Sequence, residues 1–280
     1  MPINWFPGHM AKTKRELKEN IKFVDIVIEI RDARIVKSSS NPEIDDICGN
    51  KPRIILLNKS DLSESTITNQ WIKKLSNNNM RAVSINSLTG LGINNIKPMI
   101  NELLKEKHDK MKAKGMVNIK TRAMVVGIPN VGKSSFINRM AQNSIAKIGD
   151  KPGITKSKQW IKTKLGIELM DTPGILWPKF EDDEVALNLA FTGAIKDEIM
   201  DIEELALKLI ERLQKFYPDR LIQRYKLEEL TNDPVLNINS IARKRGTILS
   251  GGKIDYNRVS ILLLDEFRGG KLGPISLERP

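Results

Sequence analysis

Residues Gly127-Ile128-Pro129-Asn130-Val131-Gly132-Lys133-Ser134 carry two glycines with four residues between them, followed by Lys and a hydroxyl residue. Glycines let a loop turn its N–H groups inward around phosphate oxygens, and a helix N-terminus behind the loop adds a positive dipole end. Lys133 would reach the β and γ phosphates, and the Ser134 hydroxyl would ligate Mg²⁺. Asn130, Val131, Gly132 and Ser135 complete the lining. The pattern follows an apolar, β-branched run and opens a helical one, the context such a loop needs.

A second group, Asp171-Thr172-Pro173-Gly174, ends a later strand-like run. Asp171 there suits Mg²⁺ through a water, and the Gly174 N–H suits a γ-phosphate. Thr155, in the turn-rich stretch Lys151-Pro-Gly-Ile-Thr155, supplies a further hydroxyl for Mg²⁺, a plain surface threonine being the alternative. A third group lies earlier. In Asn58-Lys59-Ser60-Asp61 the Asp61 carboxylate can accept from both guanine donors, N1–H and the exocyclic amine, which adenine does not offer. Asn58 braces this loop near the base, the Lys59 stem covers the ring or ribose, and Ser84-Ile85-Asn86-Ser87 offers N–H groups to guanine O6.

These groups need strands to end beside one another. Short β-branched runs at Val24–Ile30, Arg53–Leu57, Ala82–Ile85, Ala123–Ile128, Gln159–Thr163 and Ile167–Met170 read as strands. Helical stretches lie near 10–21, 64–76, 92–107 and 132–142. The alternation predicts an open, mainly parallel α/β sheet with helices on both faces. Beyond residue 183 strand signals fade, and helices are expected at 184–195, 201–216, 220–228, 236–245 and 255–267. The order of motifs is unusual. Base-reading groups precede the phosphate loop, whereas in Ras-like proteins they follow it. The expected fold is a circularly permuted Ras-like P-loop sheet, its old ends joined through 105–122, with a C-terminal all-α domain.

Composition narrows the partners. The 280 residues carry 46 Lys/Arg against 34 Asp/Glu, a formal charge of +12, and the excess is uneven. Residues 1–178 hold 30 basic and 16 acidic side chains, residues 179–280 hold 16 and 18. A domain boundary is therefore expected at 178/179. One cysteine, Cys48, and two histidines, His9 and His108, exclude a disulfide framework and a Cys- or His-based metal cage. No apolar run reaches membrane length and no signal peptide is read, so a cytoplasmic protein with an anionic partner is expected. Basic clusters are Lys12, Lys14, Arg15, Lys18 and Lys22; Lys147, Lys151, Lys156, Lys158, Lys162 and Lys164; and Arg243-Lys244-Arg245. Aromatics make up only 5%, which favours backbone and shape recognition of folded RNA over base stacking.

Trp5-Phe-Pro-Gly-His9-Met10, Asp32-Ala-Arg34, Asn58–Asp61, Gly127–Ser134, Lys151–Thr155 and Asp171-Thr-Pro-Gly-Ile-Leu-Trp177 together resemble the circularly permuted bacterial GTPases of ribosome assembly, the ribosome biogenesis GTPase A family among them. The resemblance implies a Mg²⁺-dependent GTPase, slow alone and stimulated by the ribosomal particle. It further implies action at a late step of large (50S) subunit maturation and rRNA binding through a C-terminal helical domain; a monomer off the ribosome is expected. A GTP-dependent switch acting on tRNA or in translation is the alternative. Ile175 stands where Ras-like enzymes carry a water-orienting Gln. The family pattern assigns that task to His9, a packing or capping His in the Pro7-Gly8 turn being the other reading. Asn130 is a candidate K⁺ ligand beside the phosphates, or else a side chain that shapes the loop.

Overall fold

The computed structural model describes residues 10–116, 119–141, 160–177, 180 and 182–280. These divide into two compact units, 1–181 with 278–280, and 182–277.

The first unit is built on a six-stranded sheet: β1 (Ile26–Asp32), β2 (Arg53–Asn58), β3 (Met80–Ser84), β4 (Thr121–Val126), β5 (Trp160–Lys162) and β6 (Ile167–Asp171). Its spatial order is β3-β2-β1-β4-β6-β5, all parallel except the β5–β6 pair. Counted from the strand that precedes the glycine loop, β4, the order becomes 2-3-1-4-5-6. This is a circularly permuted Ras-like sheet. The chain winds outward from β1 to β3, then returns to place β4 on the other side of β1. That reversal makes β1/β4 the topological switch point, and ligands bind such sheets beyond the carboxyl ends of the strands there. Every residue of β1 is buried, as expected of a central strand covered on both faces.

The helices of this unit are α1 (Met10–Asn20), α2 (Pro42–Cys48), α3 (Ser65–Leu75), α4 (Ile96–Leu103), α5 (Lys105–Ala113) and α6 (Lys133–Met140). Two helical stretches and one strand differ from expectation. The helix read over 92–107 is a 3₁₀ turn at Ile93–Asn95 followed by α4 and α5, broken at Leu104. Ile96 and Ile100 bury α4, whereas α5 buries nothing, so apolar periodicity stops where the break falls. α2 was not foreseen, although Asn41 caps it, Pro42 opens it, and Ile44, Ile47 and Cys48 form its buried face. β1 ends two residues later than its aliphatic run, because the polar pair Arg31 and Asp32 is itself buried.

The second unit is all-α: α7 (Asp183–Phe191), α8 (Ile202–Phe216), α9 (Pro218–Tyr225), α10 (Pro234–Arg245) and α11 (Tyr256–Arg268). Four helices begin the same way, with Asp182, Asp201, Asp233 and Asp255 each accepting a first-turn N–H. α8 is central and buries Leu205, Ala206, Leu209, Ile210 and Leu213 along one stripe. Glu266 is buried between Arg224 and Arg245, so Arg245 serves the fold while Arg243 and Lys244 lie exposed at the end of α10. Among the described residues no helix is long and apolar enough to cross a membrane.

Candidate functional site

Four of the loops at the carboxyl ends of the strands carry the residues singled out by type and spacing. After β4 the chain makes the glycine loop and enters α6 at Lys133. Gly127 and Gly132 both have positive φ, and Asn130 does too, at 59°, in the left-handed region where Asn is tolerated better than most residues. The Lys133 ammonium is buried and donates to the carbonyls of Gly127 (3.1 Å) and Ile128 (2.9 Å). Burial pulls its pKa down to about 8, against the opposing charge of Asp171. Ser134 is exposed at the start of α6, and Ser135 is half-buried beside it.

After β6, the Thr172 hydroxyl donates to the Val125 carbonyl (2.6 Å), pinning the start of the loop to β4. The Asp171 carboxyl is raised above its ordinary range by partial burial, which outweighs Lys133 and the Thr172 N–H. Gly174 lies against the glycine loop. A Cβ there would stand 2.8 Å from Lys133 Nζ and 2.9 Å from Pro129 N, so this close approach requires glycine. Ile175 is 4% exposed, and its N–H donates to the Gly127 carbonyl at 3.3 Å. An aliphatic side chain so placed has no means of orienting water.

After β2, Lys59 takes the left-handed region (φ 57°) and a 3₁₀ turn, Ser60–Leu62, presents Asp61 on the surface. Ser60 N–H donates to the Ile85 carbonyl. Lys59 Nζ lies 3.0 Å from Asp32, which fixes the direction of its stem. Asn58 does something the spacing alone did not disclose. Its Nδ2 donates to the Val131 carbonyl (2.7 Å), and its Oδ1 accepts from Ser87 N–H and Oγ (3.0 and 2.9 Å). It is a buried brace joining the phosphate loop to the second base loop, with its amide occupied on both sides.

The N–H groups of the 84–87 stretch have partners within the protein. They were expected to face guanine O6. In the structure Ile85, Asn86 and Ser87 donate to the Leu57 carbonyl, the Leu91 carbonyl and Asn58 Oδ1. Asn86 Oδ1 accepts from Leu88 and Thr89. The turn keeps these donors engaged within the protein, and Asp61 stands exposed on the neighbouring 3₁₀ turn. Also unforeseen is the chemistry beneath Lys59. Asp32 accepts Arg34 Nε and Nη2 at 2.9 and 2.8 Å, with both side chains buried. Though burial alone would raise it, Arg34 and Lys59 hold the Asp32 carboxyl well below the usual carboxylate range. His9, Thr155, Lys147, Lys151, Lys156 and Lys158 lie outside the described residues.

The oxygen donors fit Mg²⁺. That ion takes one or two protein oxygens and completes its shell with phosphates and water. Among the described residues no cluster of three acidic, His or Cys side chains forms an all-protein cage, while Ser134 follows Lys133 at the start of α6 and the Asp171 charge acts on that lysine.

A phosphate loop at the switch point, with an Asp-bearing base loop placed before it in the chain, defines a circularly permuted P-loop GTPase. The family described as "50S ribosome-binding GTPase" matches residues 122–239. Ribosome biogenesis GTPase A of Bacillus licheniformis is 50% identical over 280 residues, covering 100% of this chain and 99% of that protein. The Bacillus cereus protein of the same name is 49% identical over 280 residues, covering 100% and 95%. The crystal structure of GNP-bound YlqF from T. maritima superposes with a TM-score of 0.65 at 25% identity, covering 96% and 98%. The chain belongs to the ribosome biogenesis GTPase A family, and it is a GTP hydrolase.

The depressed Lys133 pKa has a measurable consequence. A bound phosphate restores full protonation, so GDP binding at pH 8 is expected to take up about half a proton, and at pH 7 almost none. Calorimetry in two buffers of different ionisation enthalpy reads the uptake, which Lys133→Met should abolish.

Proposed function

We propose that this GTPase acts in a late step of large (50S) ribosomal subunit maturation. In the GTP state it docks on the precursor particle and its rRNA, and hydrolysis favours release. The observation that carries the reading is full-length identity near one half to proteins named for ribosome biogenesis. The basic first 178 residues and the exposed Arg243 and Lys244 give the anionic partner its counterpart. On this reading residues 1–178 form the GTPase domain and 179–280 the RNA-binding domain of a cytoplasmic protein, monomeric off the particle. Depletion followed by sedimentation tests it. A late large-subunit precursor should accumulate, whereas a normal ribosome profile, or association with tRNA or mature ribosomes only, would overturn it.

Within the site, the N–H groups of Asn130 to Ser135 and the Lys133 ammonium hold the phosphates. Asp61 accepts from guanine, with Lys59 along the ring and Asn58, Ser60, Asn86 and Ser87 shaping the pocket. Ser134, Thr155 and, through water, Asp171 hold Mg²⁺, which neutralises charge on the β and γ phosphates. The Gly174 N–H reads the γ-phosphate.

Ile175 leaves the attacking water without a protein partner in the usual place, and His9 takes that role when the particle orders the N-terminal arm. His9→Ala should bind GTP and the particle normally yet lose stimulated turnover; turnover equal to wild type would sink the assignment. Asn130, in its left-handed turn, serves K⁺ beside the phosphates, where the cation stabilises transition-state charge. Turnover should be faster in KCl than in NaCl at equal ionic strength. Equal rates would leave Asn130 a purely structural part of the loop.

A further inference from the structure

Residues 33–41 connect the carboxyl end of β1 to the start of α2, and two residues distant in the chain hold them. Asn41 is 1% exposed. Its Oδ1 accepts the Glu43 N–H at 2.9 Å as the N-cap of α2, while its Nδ2 donates to the Ile175 carbonyl at 3.0 Å. A few residues earlier, the Glu278 carboxylate accepts the Lys37 N–H at 2.6 Å, the Ser38 N–H at 3.0 Å and the Ser38 hydroxyl. Glu278 belongs to the GTPase unit, although the whole helical unit precedes it in the chain.

A helix cap needs only an acceptor, and Ser, Thr or Asp supplies one as well as Asn does. The amide adds a donor, here used on the residue directly after Gly174. Glycine has no side chain to fix its peptide directions, so its neighbours must. The peptide between Gly174 and Ile175 is held by the Ile175 N–H on Gly127, and the next peptide by Asn41 on the Ile175 carbonyl.

We propose that Asn41 is a positioning residue for GTP recognition and hydrolysis: through the Ile175 carbonyl it aims the Gly174 N–H, and Glu278 holds the segment that carries Asn41. The proposal rests on Gly174 being the group that reads the γ-phosphate. Two pieces of the chain more than a hundred residues apart thus meet on one short loop, and that loop sets the geometry of the nucleotide-sensing turn.

Two substitutions separate the cap from the latch. Asn41→Asp keeps the acceptor but cannot donate; Asn41→Ser caps but is too short to reach Ile175. Affinities for GDP and for a non-hydrolysable GTP analogue are measured, together with kcat and KM for GTP. Both variants should keep GDP affinity within about twofold and lose analogue affinity by about five- to tenfold, the worth of one hydrogen bond, with kcat reduced. Unchanged ratios in both would overturn the proposal. Gly174→Ala distinguishes the two layers of the argument. A ratio lost in Gly174→Ala but kept in both Asn41 variants removes the latch and leaves the reading of Gly174 intact. A ratio kept in Gly174→Ala removes that reading itself. Should both Asn41 variants fail to bind GDP, Glu278→Ala carries the test, because it keeps the Asn41 side chain and its cap while freeing the segment that positions it. An unchanged ratio there overturns the proposal, and a shift toward GDP supports it.

Discussion

Asp32→Ala is expected to lower the free energy of unfolding by about 3–5 kcal/mol, because it takes the paired carboxylate away from a buried guanidinium. The Arg34 side chain is 1% exposed, and Asp32 supplies both oxygens that meet its Nε and Nη2. Removing the pair together is a different matter. Asp32→Leu with Arg34→Met replaces two buried charges by apolar volume and should cost much less than the single change. Urea unfolding of the two variants at pH 7 checks the contrast; equal losses would place the energy in packing instead of charge. The pH dependence follows from the depressed Asp32 carboxyl. Its stabilisation is fully present above the unfolded carboxylate pKa of about 3.9 and is lost only as pH falls through the lower folded value. Asp32→Ala should therefore flatten the acid limb of the stability curve. It should also raise KM for GTP, since Lys59 loses the anchor that directs its stem.

Asp61→Asn is expected to weaken GTP binding by about 10²- to 10⁴-fold, the loss of two hydrogen bonds to a charged acceptor. The substitution exchanges an acceptor for a donor on one side of the base. Xanthine carries a carbonyl where guanine carries the exocyclic amine, so the variant should recover affinity for xanthosine triphosphate. Competition binding with both nucleotides decides it. A variant that keeps its preference for GTP would show that guanine is read elsewhere, and the exposed 3₁₀ turn bearing Asp61 would lose its assigned role.

The residues that act through local sequence were legible. Gly127, Gly132 and Lys133 announce a loop-to-helix junction by type and spacing, and the strand runs fall within about two residues of β1 to β6. The helix starts expected at 184, 201, 236 and 255 fall within about two residues of those that Asp182, Asp201, Asp233 and Asp255 cap, because a cap is a short-range interaction. What escaped depends on partners far away in the chain. Asn41 looks like one more polar loop residue until Ile175 is placed beside it, and Glu278 like a tail carboxylate until Ser38 is. Asp32 and Arg34 stood out only as part of a motif of the resemblance, although in space they form a buried ion pair at the end of β1. The donors of 84–87 are the opposite case. Local geometry had already used them, and a degenerate tetrapeptide does not report how tightly it turns.

Asn58 bears on how such a chain can change. Its amide donates to the Val131 carbonyl, and a Cβ on Gly132 would stand 2.3 Å from the same nitrogen. Permutation places the base-reading and phosphate-binding halves on separate stretches of the gene, which invites treating them as interchangeable modules. The contact forbids that. A half taken from another lineage would have to bring an Asn58 and a Ser87 that fit the resident Val131 and Gly132, so the two stretches are inherited as one part.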